Sequence, residues 1–196
     1  MYHDLANSLD DVTLTYIRGV PPADVVARFG GDIATFAPMS VEKVARTRSW
    51  GNEGVTLAAV ASLGEWTLIV DSNMVGFYDG IVESLSAGTR VVAHYLQDIT
   101  GIYYFHWVED GRTEVGFYGE DGFVIDEQMV MPDQMPVTFA PILARSDARF
   151  PGMPEINVGP VFMWAEDLTG INMTPRLLEE LTFVGGPISP VRPECP

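Results

Sequence analysis

The chain has 196 residues, 47% hydrophobic and 19% charged, which is enough apolar material for a full core without a disulfide or a metal. Asp and Glu number 27 against 11 Lys and Arg, and the net charge of −16 repels phosphate backbones and anionic membrane surfaces while drawing basic partners inward. The single cysteine, Cys195, excludes an internal disulfide framework and a cysteine-based zinc site.

The charge is unevenly spread: residues 1–50 carry six acids and five bases, and residues 51–196 carry 21 acids and six bases. Direct nucleic-acid binding and membrane binding are therefore not expected. No apolar run is long enough to span a bilayer, and the opening MYHDLANSLDD is acidic where a signal peptide is basic. A cytoplasmic protein is the expectation.

Taken in chain order, Leu5, Leu9, Val12 and Tyr16 recur at helical spacing, and Gly19 followed by Pro21 and Pro22 supplies a stop, so the first helix is predicted here. Pro22 opens a second helix with Val25, Val26 and Phe29 on its apolar side and Gly30-Gly31 at its end. The glycine pair has no Lys-Ser/Thr after it, so it reads as a helix terminator rather than a phosphate loop. Ser40 caps a third, short helix through about residue 48.

The period then changes to two. Residues 55–62 and 66–71 form a hairpin around Leu63-Gly64-Glu65, and Asp79 caps a short helix over 81–85. Residues 89–96 return to strand, and 103–108 with 114–118 form a second hairpin whose tip, Asp110-Gly111, is the strongest short turn signal in the chain. Residues 119–160 are broken by glycines and prolines and read as a long excursion with one short strand at 123–125. A helix over 161–168, a Thr174-Pro175 helix start before Leu177, Leu178 and Leu181, and a non-globular tail GGPISPVRPECP complete the chain. The fold class is α+β: an antiparallel sheet of at least five strands flanked by N-terminal and C-terminal helices. Residues 1–186 form a single acidic domain, and 187–196 a proline-rich tail.

Five segments carry a family pattern: IRGVPPADVVARFGG, VTLAAVASLGEWTLIVDSN, LSAGTRVVAHYLQ, FHWVEDGR and FMWAEDLTGINMTPRLLEELTFVGG. In this order they resemble an uncharacterised family of actinobacterial domain proteins. Members of that family show an opening helix near R-G-L-x-P-E-E-V, a W-T-L strand, an S-x-G-T-x strand entry, a W-x-E-D-G turn and an L-T-G-x-x-L-T-P-E-L-L helix pair. The resemblance covers most of the chain except roughly 120–155 and the tail. It implies kinship and an actinobacterial or actinophage source, and no particular chemistry. The stretch after Phe117 departs from the family's Phe-Pro-rich segment. Each motif also has a structural explanation: Trp66-Thr67-Leu68 suits a half-buried strand, Gly88 a tight turn, Asp110-Gly111 a hairpin and Thr174-Pro175 a helix start.

No catalytic constellation emerges. The histidines are His3, His94 and His106. His94 and His106, on strands expected to pair, form with Asp71 or Asp98 the material of a two-histidine, one-carboxylate metal site, against the plainer reading of two packed histidines. No metal ligand set and no cofactor is assigned. The acidic pairs Glu109-Asp110, Glu120-Asp121 and Asp126-Glu127 read as solvated charge, and nothing sets the separation that paired carboxylate catalysis needs. No EF-hand spacing occurs. The stripe Tyr103-Tyr104-Phe105-His106-Trp107 is bulky on both faces of its strand: one face meets the core, and the other is either covered by the C-terminal helices or presents Tyr104 and His106 to a partner. Pro187, Pro190, Pro193 and Pro196 recur every third residue, as polyproline II does, in what is otherwise a plain extended tail.

The leading expectation is a non-enzymatic protein-interaction module that takes a basic protein partner, of immunity-protein or phage host-interaction type. Its candidate contact residues are Glu120, Asp121, Asp126, Glu127, Tyr104 and His106. A structural component such as a minor virion protein is the alternative, and a small-molecule-binding protein or enzyme with a carboxylate site the second alternative.

Overall fold

The computed structural model describes residues 9, 12–47, 56–97, 102–126, 128–151 and 159–188. Among the described residues ten strands form one sheet: β1 (Val12–Arg18), β2 (Ala37–Pro38), β3 (Thr56–Leu63), β4 (Trp66–Asp71), β5 (Arg90–Gln97), β6 (Ile102–Glu109), β7 (Arg112–Tyr118), β8 (Phe123–Ile125), β9 (Gln128–Val130) and β10 (Val184–Ile188). Their spatial order is β2-β10-β3-β4-β1-β5-β6-β7-β8-β9, and every pairing is antiparallel. Six α-helices accompany the sheet among the described residues: α1 (Pro22–Arg28), α2 (Val41–Arg46), α3 (Asp79–Ser86), α4 (Ala140–Arg149), α5 (Gly159–Thr169) and α6 (Pro175–Glu180). The fold is α+β.

The first expected helix is overturned where it can be followed. Residues 12–18 are the central strand β1, paired with β4 on one side and β5 on the other. Val12 and Tyr16 lie four apart, a spacing that puts two residues on one side of a helix and equally on one face of a strand. The β-branched run Val-Thr-Leu-Thr-Tyr-Ile decides for strand, and burial of six consecutive residues, 12–17, hides the alternation.

Hairpins fix the rest of the register. The β6–β7 tip has Asp110 at φ 46° and Gly111 at φ 80°, the doubly left-handed turn that matches strand twist. It is pinned from outside: Asp110 Oδ1 accepts from the Gly88 N–H at 2.7 Å, and the Gly111 N–H donates to Ser86 Oγ at 2.9 Å. The caps read from sequence hold at Ser40, which accepts from the Lys43 N–H, and at Thr174, which accepts from the Leu177 N–H. At α3 the cap position falls on Tyr78, so Asp79 is the first helical residue and not the cap.

Helices cover both faces of the sheet. On one face α2, α4, α5 and α6 enclose Leu14, Tyr16, Leu68, Phe105, Trp107, Phe117, Phe139 and Trp164. On the other, α1, α3 and a 3-10 turn, Val75–Phe77, enclose Ile17, Val26, Val60, Ile69, Ile81, Leu85 and Val91. Tyr103, Phe105 and Trp107 thus meet the C-terminal helices, whereas Tyr104 and His106 face the Val75–Phe77 turn.

Two further expectations need correction. The irregular excursion of 119–160 contains helix α4 and strand β9 as well as the expected strand β8, because Pro141 sits in the first turn of α4, where its missing N–H costs nothing. The tail does not leave the globule at Gly185: residues 184–188 are strand β10, inserted between β2 and β3, with Ile188 buried. Gly185 admits the crossing backbone, since a Cβ there would lie 2.9 Å from the Ala58 carbonyl oxygen. Pro187 falls beyond the end of β2, at a position where the strand's outer edge has no partner to lose. Pro190, Pro193 and Pro196 lie outside the described residues.

Candidate functional site

One register row crosses all ten strands: Pro38, Val184, Val60, Ile69, Thr15, Ala93, His106, Gly116, Val124 and Met129. Directly paired residues share a face, so the row samples how that face is covered. From Val60 to His106 it is buried under α1, α3 and the 3-10 turn, and Gly116 is covered by the ring of Tyr118. Val124 is half-buried, and Met129 is 75% exposed. Among the described residues the helical layer therefore stops over β6, leaving β7–β9 as an open shelf.

Where the layer ends there is a cleft of about 300 Å³. Val82 and Glu83 of α3 form its wall, His106, Val108, Tyr118 and Val124 its floor, and Arg112, Thr113 and Asp126 its far rim. Gly116 sits in the floor row between His106 and Val124 and supplies no side chain to fill it.

A β-bulge builds the chemistry of this floor. Trp107 pairs with Val115 but Val108 pairs with Thr113, so Glu114 is an extra residue. The extra residue re-aims Thr113 to the cleft face, where its hydroxyl meets His106 Nε2 at 3.0 Å. His106 is 2% exposed and lies parallel to Phe77, with centroids 5.8 Å apart at 7°. Tyr118 meets it edge-on at 6.1 Å. At the rim Arg112 and Asp126 form an exposed ion pair at 3.2 Å, and Asp126 takes a left-handed φ of 48° in the β8–β9 turn.

The proposed contact residues divide accordingly. Asp126 and His106 come together in the cleft. Tyr104 is half-buried among Phe77, Tyr95 and Tyr118. Asp121 is exposed in the turn Gly119–Asp121, at the opposite end of β8 from Asp126. Glu120 lies on that same turn, and Glu127 falls outside the described residues. Glu83, Arg112, Thr113 and Tyr118 escaped the sequence reading, because a bulge and a helix edge bring them to the site. An isolated glycine in a strand, Gly116, was the available signal. The Glu109-Asp110 pair is not plain solvated charge either: Glu109 receives hydrogen bonds from Arg90 and from Trp107 Nε1.

The two-histidine metal site is overturned by register. His94 pairs with Phe105 and His106 with Ala93, so the two rings are on opposite faces. His94 packs with Tyr16, whose hydroxyl is 3.4 Å from Nε2, and against Phe162 at 4.6 Å. Burial pushes the His94 imidazole down to about 3 and the Tyr16 phenol upward. Asp98 lies outside the described residues. Among the described residues no three His, Cys, Asp or Glu side chains gather to hold a metal ion, and no helix is long and apolar enough to cross a membrane.

No curated protein and no solved structure matches the chain. A family model does match, over residues 5–192. The chain therefore belongs to the family of unknown function DUF6461.

Proposed function

We propose that this protein is a non-enzymatic interaction module that takes a basic protein segment on the open β7–β9 shelf. One observation carries the reading. Among the described residues the exposed large apolar side chains are Met129, Met131 and Val137, at 75%, 65% and 88%; Met129 is on the edge strand β9, Met131 follows it directly, and Val137 comes six residues later in the chain. Exposed apolar groups beside an unpaired strand edge suit an incoming extended segment, which adds main-chain hydrogen bonds to the edge. Exposed Asp121, Asp126 and Asp133 surround this edge, and they favour a basic segment. A second copy of the chain is disfavoured as occupant, since each copy carries −16. Neutralising a basic toxin, as an immunity protein does, and holding a basic host protein for a phage are the settings this charge fits. An actinobacterial or actinophage source is part of the same proposal.

The test is co-purification from an actinobacterial host at low and high salt, with wild type compared with Asp121→Asn/Asp126→Asn and with Met129→Lys. A stoichiometric basic protein that salt releases and both variants lose is expected. Capture indifferent to salt or to these substitutions overturns the proposal. The cleft beside the shelf supports a second reading, small-molecule binding, since a buried His106 hydrogen-bonded to Thr113 lies on its floor. A ligand that protects the fold of wild type but not of His106→Phe would favour it.

A further inference from the structure

Away from the shelf, beneath the Val75–Phe77 turn, three buried oxygens stand together without hydrogen-bond partners: Asp71 Oδ2 and the hydroxyls of Thr13 and Thr15. All three residues are 0% exposed. Register gathers them. Thr13 is the direct partner of Asp71 across β1–β4. Thr15 is the next residue along β1 on the same face, diagonal to Asp71. Opposed residues of this kind have Cβ atoms about 5 Å apart, and diagonal ones about 7–8 Å.

The other oxygen of Asp71 is fully used. Oδ1 accepts from the Asn73 N–H at 2.8 Å and the Val75 N–H at 3.1 Å, which holds the turn and fixes the direction of Oδ2. Gly76 closes the space from above: a Cβ there would lie 2.3 Å from Thr15 Oγ1, so only a glycine leaves the hydroxyl room. Burial pushes the Asp71 carboxyl up to about 6 against the backbone N–H groups that pull it down, so at neutral pH it carries charge inside the core with no ion-pair partner among the described residues.

Buried polar groups are satisfied in folded proteins, and three neighbouring exceptions point to a shared occupant. We propose that Asp71 Oδ2 and the hydroxyls of Thr13 and Thr15 form a site for one monovalent metal cation. The donor set is all oxygen, which suits a hard cation. It carries one negative charge and two neutral hydroxyls, which a single positive charge balances, whereas tight divalent sites gather several carboxylates. The role is structural: the ion would tie β4 and β1 to the turn that places Phe77 over His106.

Thermal unfolding of the full chain at pH 7.5 tests this, in lithium, sodium, potassium, rubidium and choline chloride at one ionic strength. Because a ligand of the native state raises Tm, one alkali cation is expected to raise it several degrees above choline. Asp71→Asn and Thr13→Val are each expected to abolish that difference. Equal Tm values in all five salts overturn the site, as does a cation preference that survives both substitutions. Crystals grown in rubidium provide a readout independent of variant folding: an anomalous peak beside Asp71 Oδ2 is expected, and a water or a direct Asp71–Thr13 hydrogen bond there refutes the proposal.

Discussion

At position 94 a histidine ring sits 2% exposed between Tyr16 and Phe162, where it is held neutral by burial. Its folded pKa of about 3 lies below the ordinary 6.5, so between those values the unfolded chain binds the extra proton. The stability it contributes is complete above pH 6.5 and is lost as pH falls toward 3, at about 1.4 kcal/mol per unit. Asp71, raised to about 6, works in the opposite sense, so the informative quantity is a difference curve. Relative to His94→Gln, wild type should lose roughly 2 kcal/mol between pH 6.5 and 5 in urea unfolding. Parallel curves for the two proteins would show that position 94 does not titrate in the interior. Gly76 makes a second prediction at this scale. A methyl there meets Thr15 Oγ1 at 2.3 Å and the Ala93 Cβ at 3.0 Å, neither of them a flexible side-chain end. Gly76→Ala should destabilise by about 1–3 kcal/mol, and an unchanged urea midpoint would mean that the turn lifts freely off the sheet.

Individual elements were legible in the sequence where local chemistry alone decides them. Thr174-Pro175 is such a case: the Thr174 hydroxyl accepts from the Leu177 N–H at 3.1 Å and proline needs no N–H partner in the first turn. Thr174→Ala should therefore cost about 1 kcal/mol in denaturant unfolding, and a loss below a few tenths would show that packing of Leu178 alone holds α6. Elements decided by tertiary contacts were not legible. β1 reads as helical because its position between β4 and β5 buries both its faces. β10 is a Gly-Gly-Pro segment that no strand propensity favours. It is held by the close backbone approach that Gly185 permits and by pairing with β3. The candidate site was legible only in part for the same reason. Tyr104 and His106 were visible as the odd face of an aromatic strand, but the depth of the cleft depends on Gly116, on a bulge at Glu114 and on where α3 ends. The buried Asp71 cluster was invisible, since nothing in VDSN separates a buried aspartate from a solvated turn residue.

Across the whole molecule the acidic excess and the folding of the chain oppose each other. Among the described residues Arg18, Arg46, Arg90, Arg112, Arg145 and Arg176 are already engaged with single carboxylates, so ion pairing takes up much of the small basic complement. What remains is a surplus of unpaired negative charge, and bringing it together in a compact state costs self-repulsion that salt relieves. Added salt also weakens the surface pairs, but exposed pairs contribute at most about 1 kcal/mol each and often nothing measurable. Repulsion among the charges of a −16 chain is the larger effect, because it acts between every pair of acids within a Debye length of about 10 Å at 0.1 M. Thermal stability should therefore rise from about 10 mM to about 150 mM salt, and it should do so even with choline as the cation, where no specific site contributes. The same screening should release a basic partner from the β7–β9 shelf, so fold stability and partner capture move in opposite directions over one salt titration. A Tm that falls with choline chloride would show that the arginine–carboxylate pairs, and not the surplus acids, dominate the electrostatics of the fold.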